Sequence, residues 1–89
     1  MAGYQLKIKK SAEKELANLP TATILAIKDH ILTLRSNPFP NEYKKLKGFK
    51  KLYRIRIGNY RIIYSVQSDV LIVEILKLHT EKMLIHNIF

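Results

Sequence analysis

With 89 residues, 16 Lys+Arg against 7 Asp+Glu, a formal net charge of +9 and 47% hydrophobic residues, the chain has room for one compact domain, residues 1–89, and no separate module with a second activity. Its 0 Cys exclude a disulfide framework and a thiolate metal site, and a reducing cytoplasm is the expected compartment. The charge excess points to a polyanion such as nucleic acid, or to an acidic protein, ahead of any small-molecule substrate.

Tyr4, Leu6 and Ile8 alternate with Gln5, Lys7 and Lys9, the period of a half-buried strand. The same alternation argues against a signal peptide, since no basic region precedes an apolar core between Met1 and Lys10. Ser11 is placed to cap a helix whose first turn holds Glu13 and whose apolar positions are Ala12, Leu16 and Leu19. Pro20 stops it. After Thr21 a longer helix aligns Ile24, Ile27, Ile31 and Leu34 on one stripe, broadened by Leu25 and Leu32, until Asn37-Pro38-Phe39-Pro40 forbids continuation. The two helices are expected to form a hairpin over a sheet. No apolar run is long enough to span a bilayer, and the stripe of the second helix is needed to cover the sheet, so no membrane partner is expected.

From Leu52 onward the apolar period becomes two. Gly58-Asn59 and Ser68-Asp69 read as hairpin turns and delimit three strands: Leu52 to Ile57, Tyr60 to Gln67 and Val70 to Leu78. Thr80 to Phe89, with Leu84, Ile85, Ile88 and Phe89 apolar, reads as a short C-terminal helix or packed tail. The expected class is therefore α+β: an N-terminal strand, a two-helix hairpin, a three-strand antiparallel meander, and that helix or tail.

Lys44, Lys45, Lys47, Lys50, Lys51, Arg54, Arg56 and Arg61 supply eight of the 16 basic residues, and no acidic residue lies between Lys44 and Arg61. An edge strand guarded by cations accounts for the lysines. It accounts less well for the arginines. A two-residue loop at Gly58-Asn59 pairs Ile57 with Tyr60, Arg56 with Arg61 and Arg54 with Ile63, and cross-strand partners share a face. Tyr53, Ile55, Ile57, Tyr60, Ile62, Tyr64 and Val66 then form a core face. Leu52, Arg54, Arg56, Arg61, Ile63 and Ser65 form the other. Like charges directly opposite destabilise a sheet unless an anion sits between them, so Arg56 and Arg61 mark a candidate anion site. Continuing the register through Ser68-Asp69 sets Glu74 beside Ile63 and across from Arg54, one internal counter-ion against three guanidinium groups. The phosphate backbone of RNA suits such a surface, because guanidinium groups bind phosphate bidentately.

The string Lys45-Leu46-Lys47-Gly48, followed by YRIRIGNYRIIY over Tyr53 to Tyr64, resembles the signature of RelE/ParE-type toxins, in which a basic strand leads through a Gly-polar turn into a Tyr-Arg strand. The order of elements is similar over nearly the whole chain. The resemblance implies a RelE-like microbial ribonuclease-type fold and a toxin of a type II toxin-antitoxin pair. Its activity would be that of a metal-independent, cofactor-free endoribonuclease that cleaves messenger RNA in the ribosomal A site and inhibits translation. The family chemistry is attack of a ribose 2′-hydroxyl on the neighbouring phosphate. By position, Arg54 and Arg56 match the strand cations that help activate the nucleophile and hold the backbone, and Arg61 matches the arginine that stabilises the phosphorane. Lys45, Lys47, Lys50, Lys51, His79, Lys82 and His86 are the expected RNA-binding residues.

The C-terminal motif departs from the family pattern. That pattern reads His-Arg or Lys-Arg and then a tyrosine, whereas this chain reads His79-Thr80-Glu81-Lys82-Met83-Leu84. Threonine carries no cation for the leaving 5′-oxygen, so Lys82, His79 or His86 would have to substitute. Two alternatives follow from the departure: a ParE-like toxin that inhibits DNA gyrase without cutting RNA, and a catalytically weakened relative that binds antitoxin only. The nuclease and gyrase readings both imply a cognate antitoxin, acidic, laid as a helix or extended segment across the helical hairpin and the basic face. The nuclease adds the ribosome and mRNA as partners. His30, His79 and His86 lack ligand spacing with Asp or Glu, so no metal is expected.

Overall fold

The structure, a computed structural model, describes residues 3–80. In chain order the elements are β1 (Gln5–Ile8), α1 (Lys10–Ala17), α2 (Thr21–Thr33), β2 (Lys44–Lys45), β3 (Leu52–Ile57), β4 (Tyr60–Gln67) and β5 (Ile72–Thr80). They make an α+β fold with one five-stranded sheet, ordered β1-β5-β4-β3-β2. β1 runs parallel to β5, and the β5-β4, β4-β3 and β3-β2 pairs are antiparallel. The expected meander is present, flanked by a first strand returned through the helical hairpin and by a two-residue edge strand that the sequence pattern did not announce. Lys82, His86 and the expected C-terminal helix or tail lie outside the described residues, and Thr80 belongs to β5.

The helical hairpin follows from local chemistry with one correction. α1 begins at Lys10, so Ser11 lies inside the helix and makes no cap. Lys9 decides the start: its N–H donates to Ile75 O at 2.9 Å, finishing the β1-β5 ladder, and its carbonyl accepts the Glu13 N–H at 3.0 Å. Pro20, at φ −59° and ψ 149°, separates the helices and precedes the first residue of α2. Ile27, Ile31 and Leu34 are buried as the stripe requires, with Ile24 packed against them. Leu25 and Leu32 do not widen it, being 59% and 52% exposed on the outer side of α2. The core joins that stripe and Ala12 and Leu16 of α1 to Ile55, Ile57, Ile62, Tyr64, Val66, Val73, Ile75 and Leu78 of the sheet.

The β3-β4 hairpin has the expected register, Ile57 opposite Tyr60 and Arg56 opposite Arg61, around Gly58 at φ 58°. The β4-β5 connection differs. Four residues, Ser68 to Leu71, link the strands, Leu71 takes φ 57°, and β5 starts at Ile72 instead of Val70. Glu74 therefore stands opposite Ser65, not opposite Ile63. Two interactions explain the change. Gln5 N–H donates to Leu71 O at 2.7 Å, so the docking of β1 holds the longer loop. A bulge then leaves Leu76 without a facing partner between the Tyr64–Ile75 and Ile63–Lys77 pairs. Without that extra residue Lys77 would point at the helices; with it, Leu78 enters the core instead.

Beyond Ile8 the outer edge of β5 has lost its neighbour, and α1 covers it. The Glu15 carboxylate accepts the Leu78 N–H at 2.9 Å and pairs with Lys77 Nζ at 3.4 Å. On the opposite side of the molecule Tyr64 is fully buried, and its hydroxyl donates to Pro38 O at 2.7 Å. Burial first, and then the neighbouring Tyr43 and Tyr53, raise its pKa well above the ordinary 10.0. Tyr64→Phe leaves the Pro38 carbonyl without that donor and is expected to cost about 1–3 kcal/mol in urea unfolding. Because the folded-state pKa is raised, the native chain keeps a proton that the unfolded chain releases above pH 10.0. Wild-type stability should therefore fall more steeply than that of Tyr64→Phe as pH rises above that value.

Candidate functional site

The face of the sheet opposite the helices carries the side chains of Arg54, Arg56 and Arg61. β3 supplies the first two at alternate positions, and the Gly58-Asn59 turn returns the chain so that Arg61 stands opposite Arg56. Lys44 of β2 pairs with Arg54 and adds a fourth cation on the same side. Together Lys44, Arg54, Arg56 and Arg61, with Glu42 and Gly58, line an open basin of about 430 Å³. Among the described residues the basin brings together four cations and one carboxylate, and a concave positive surface concentrates anions.

The cations differ in their freedom. Arg56 is exposed, and its Nε–H donates to Gly58 O at 3.2 Å, which folds the side chain back over the turn. Arg54 is half-buried. Arg61 is only 7% exposed yet still forms part of the basin wall, so its charge sits where water screens it least. Ile63, the cross-strand partner of Arg54, is fully buried. His79 is the residue of β5 opposite Arg61 and is 2% exposed. Its Nδ1–H donates to Thr80 O at 3.2 Å, since a carbonyl can only accept. Nε2 is buried and has no hydrogen-bond partner among the described residues.

The other expected RNA-binding residues stand elsewhere. Lys45 pairs with Tyr53 and so takes the side of the sheet away from Arg54. Lys45, Lys47 and Lys50 line a second concavity, about 450 Å³, with Leu46, Gly48 and Phe49. Lys51 is exposed at φ 63°, its carbonyl accepting the Val66 N–H at 3.2 Å. Lys82 and His86 are outside the described residues. Glu74, offered as an internal counter-ion, forms no ion pair with a described arginine; the ion pair among the described residues is Lys77–Glu15. Two basin residues were missing from the sequence-based set. Lys44 was legible as part of the basic run but not as a partner of Arg54, because a two-residue strand has no period to read. Glu42 precedes that strand and carried no signal.

The sequence profile of the family described as ParE toxin of type II toxin-antitoxin system, parDE, matches residues 6–84. RelE1 of Methanocaldococcus jannaschii is 38% identical over 78 residues, which are 84% of this chain and 87% of the relative. A chain of the archaeal RelE-RelB complex from Pyrococcus horikoshii OT3 superposes with a TM-score of 0.78 at 38% identity, covering 86% of this chain and 93% of that one. The RelB-RelE antitoxin-toxin complex from Methanococcus jannaschii gives 0.67 at 26% identity, covering 90% and 95%. The isolated E. coli RelE toxin, at 23% identity and a TM-score of 0.76 over 86% and 83%, shares the fold.

If the basin holds phosphates, removing its exposed cation should weaken RNA binding without harming the fold. Arg56→Ala is expected to leave unfolding free energy within about 0.5 kcal/mol of wild type, since an exposed side chain is lost and repulsion with Arg61 is relieved. Fluorescence anisotropy with a single-stranded RNA across a salt series should show weaker binding and a log-log slope shallower by about 0.7. An unchanged slope would place the RNA elsewhere.

Proposed function

Because this chain belongs to the RelE/ParE superfamily of type II toxin-antitoxin toxins, we propose that it is a metal-independent endoribonuclease that cleaves ribosome-bound messenger RNA and so stops translation. The observation that carries this reading is the convergence of Arg54, Arg56 and Arg61 on one basin with Lys44. A ribose-phosphate step laid there meets cations on several sides. Arg54 and Arg56 hold the backbone and favour ionisation of the attacking 2′-hydroxyl by their charge, since guanidinium is itself no proton acceptor. Arg61, held in the basin wall, stabilises the extra negative charge of the phosphorane, where preorganised charge in a poorly hydrated site is most effective.

β5 supplies no arginine at its end, because Thr80 faces Tyr60 there. His79 is the residue of β5 that stands opposite Arg61, and among the described residues it is the side chain nearest in register to the place of the missing cation. The relatives from Pyrococcus horikoshii and Methanococcus jannaschii are each described in complex with RelB. By the same logic this chain pairs with a cognate antitoxin, and a net charge of +9 calls for an acidic one that covers the basin.

The matching family profile bears the ParE name, so a gyrase inhibitor is the competing reading. Arg61→Ala separates the two. Cells expressing the wild-type chain should stop growing and show site-specific mRNA breaks by primer extension, and Arg61→Ala should abolish both while circular dichroism shows the same fold. Loss of supercoiling with intact mRNA would favour the gyrase reading, and a variant as toxic as the parent would defeat the nuclease reading.

A further inference from the structure

α2 is apolar on two sides. Ile27 and Ile31 are buried in the core, whereas Leu25 and Leu32, seven residues apart and so on one stripe of the helix, are more than half exposed on the outer side. A surface helix ordinarily carries polar and charged residues there, and a helix that is apolar all round is one that is covered. Ala22 and Ala26 flank Leu25 and are exposed as well, so a second helix can approach this side closely.

Charge decides what covers it. The chain has a formal net charge of +9, yet residues 10–34, which span both helices, hold Lys10, Lys14 and Lys28 against Glu13, Glu15 and Asp29 and are neutral as a unit, with His30 uncharged. The helical layer is thus the neutral side of a cationic molecule. Two copies can meet there without the repulsion that an approach through the arginine basin or the Lys45–Lys51 loop would meet. An acidic protein gains its attraction at those cationic surfaces and little of it here.

Lys28 and Asp29 give the contact a direction. Both are exposed, and they lie midway between Leu25 and Leu32, so the two pairs share one midpoint on the helix. Two α2 helices crossing antiparallel about a two-fold axis at that midpoint set Leu25 of each copy against Leu32 of the other, and Lys28 of each against Asp29 of the other. A parallel crossing would set Lys28 against Lys28. The face is therefore self-complementary in one orientation, as an interface between identical chains related by a two-fold axis requires.

We infer that the outer face of α2 is a homodimer interface, through which two copies of this chain pair by antiparallel α2 helices. The helices and the arginine basin lie on opposite sides of the sheet, so both basins of the dimer face outward and stay open. An α2 of 13 residues is about 20 Å long, and one such helix pair buries less than the roughly 1,600 Å² of a standard interface. The dimer is accordingly weak and reversible, with a dissociation constant on the order of 10–100 μM.

Sedimentation equilibrium of the full chain over about 1–500 μM tests this, in about 0.3 M salt so that the net charge is screened. The wild type should pass from monomer to dimer across the series. Leu25→Glu and Leu32→Glu, each removing an apolar contact twice per dimer, should raise the dissociation constant about 10–100-fold, with circular dichroism unchanged because both side chains are exposed. Asp29→Lys should weaken the dimer by bringing like charges together at the axis, and combining it with Lys28→Asp should restore most of the loss. A chain that stays monomeric throughout overturns the inference and leaves this face to a different protein. A dimer that both leucine variants leave intact overturns it too, and so does a double charge variant that associates no better than Asp29→Lys alone.

Discussion

Everything at the basin depends on the register of one hairpin. The two-residue turn at Gly58-Asn59, with Gly58 in the left-handed region, pairs Ile57 with Tyr60 and so fixes which side of the sheet each residue of β3 and β4 takes. A slip of one residue would turn Ile55 and Ile57 outward and drive Arg54 and Arg56 against the helices. Burying each isoleucine is worth about 1.5–3 kcal/mol, while like charges facing across a strand pair cost on the order of 0.2–1 kcal/mol. The hydrophobic term wins by a wide margin. The core face therefore forces the arginines together on the other face, and their mutual repulsion is the smaller term.

The rest of the molecule supports that asymmetry. Both helices pack on the side of the sheet that carries Ile55, Ile62 and Tyr64, and Arg54, Arg56 and Arg61 stand on the other. At the β1 end the sheet is closed by the parallel β1-β5 pairing and, past it, by Glu15 on the Leu78 N–H. At the other end the loop after α2 is held through Tyr64, Tyr53, Tyr43 and Phe39, and this loop brings Glu42 and Lys44 to the rim of the basin. The two faces are thus coupled. The aromatic cluster on one side sets the position of the polar groups on the other.

How much of this was legible beforehand can be traced to particular residues. The Arg54, Arg56 and Arg61 face followed from a period of two and a Gly-Asn turn, because a tight hairpin leaves no freedom of register. The β4-β5 pairing was misread at Ser68-Asp69 because β1, distant in sequence, holds a longer loop through Leu71. The bulge at Leu76 could not be seen either. It answers a conflict between Lys77 and the core that arises only once the pairing is known. Ser11 looked like a cap, but the strand-ending bond of Lys9 to Ile75 decided where α1 begins. Leu25 and Leu32 fitted the helical stripe by spacing, yet both are exposed while Ile27, Ile31 and Leu34 take the buried side. In each case a local signal was outweighed by a partner far away in the chain.

The central claim, that guanidinium groups of two neighbouring strands hold a common phosphate, is most directly tested by nuclear magnetic resonance of the arginine side chains. A chain labelled with nitrogen-15 would be titrated with a 2′-O-methyl RNA that binds without being cut. The expected result is concerted shifts of the Arg54, Arg56 and Arg61 Nε–H signals with one common dissociation constant. Shifts confined to the Lys45–Lys51 loop, with the three arginines unmoved, would contradict the account.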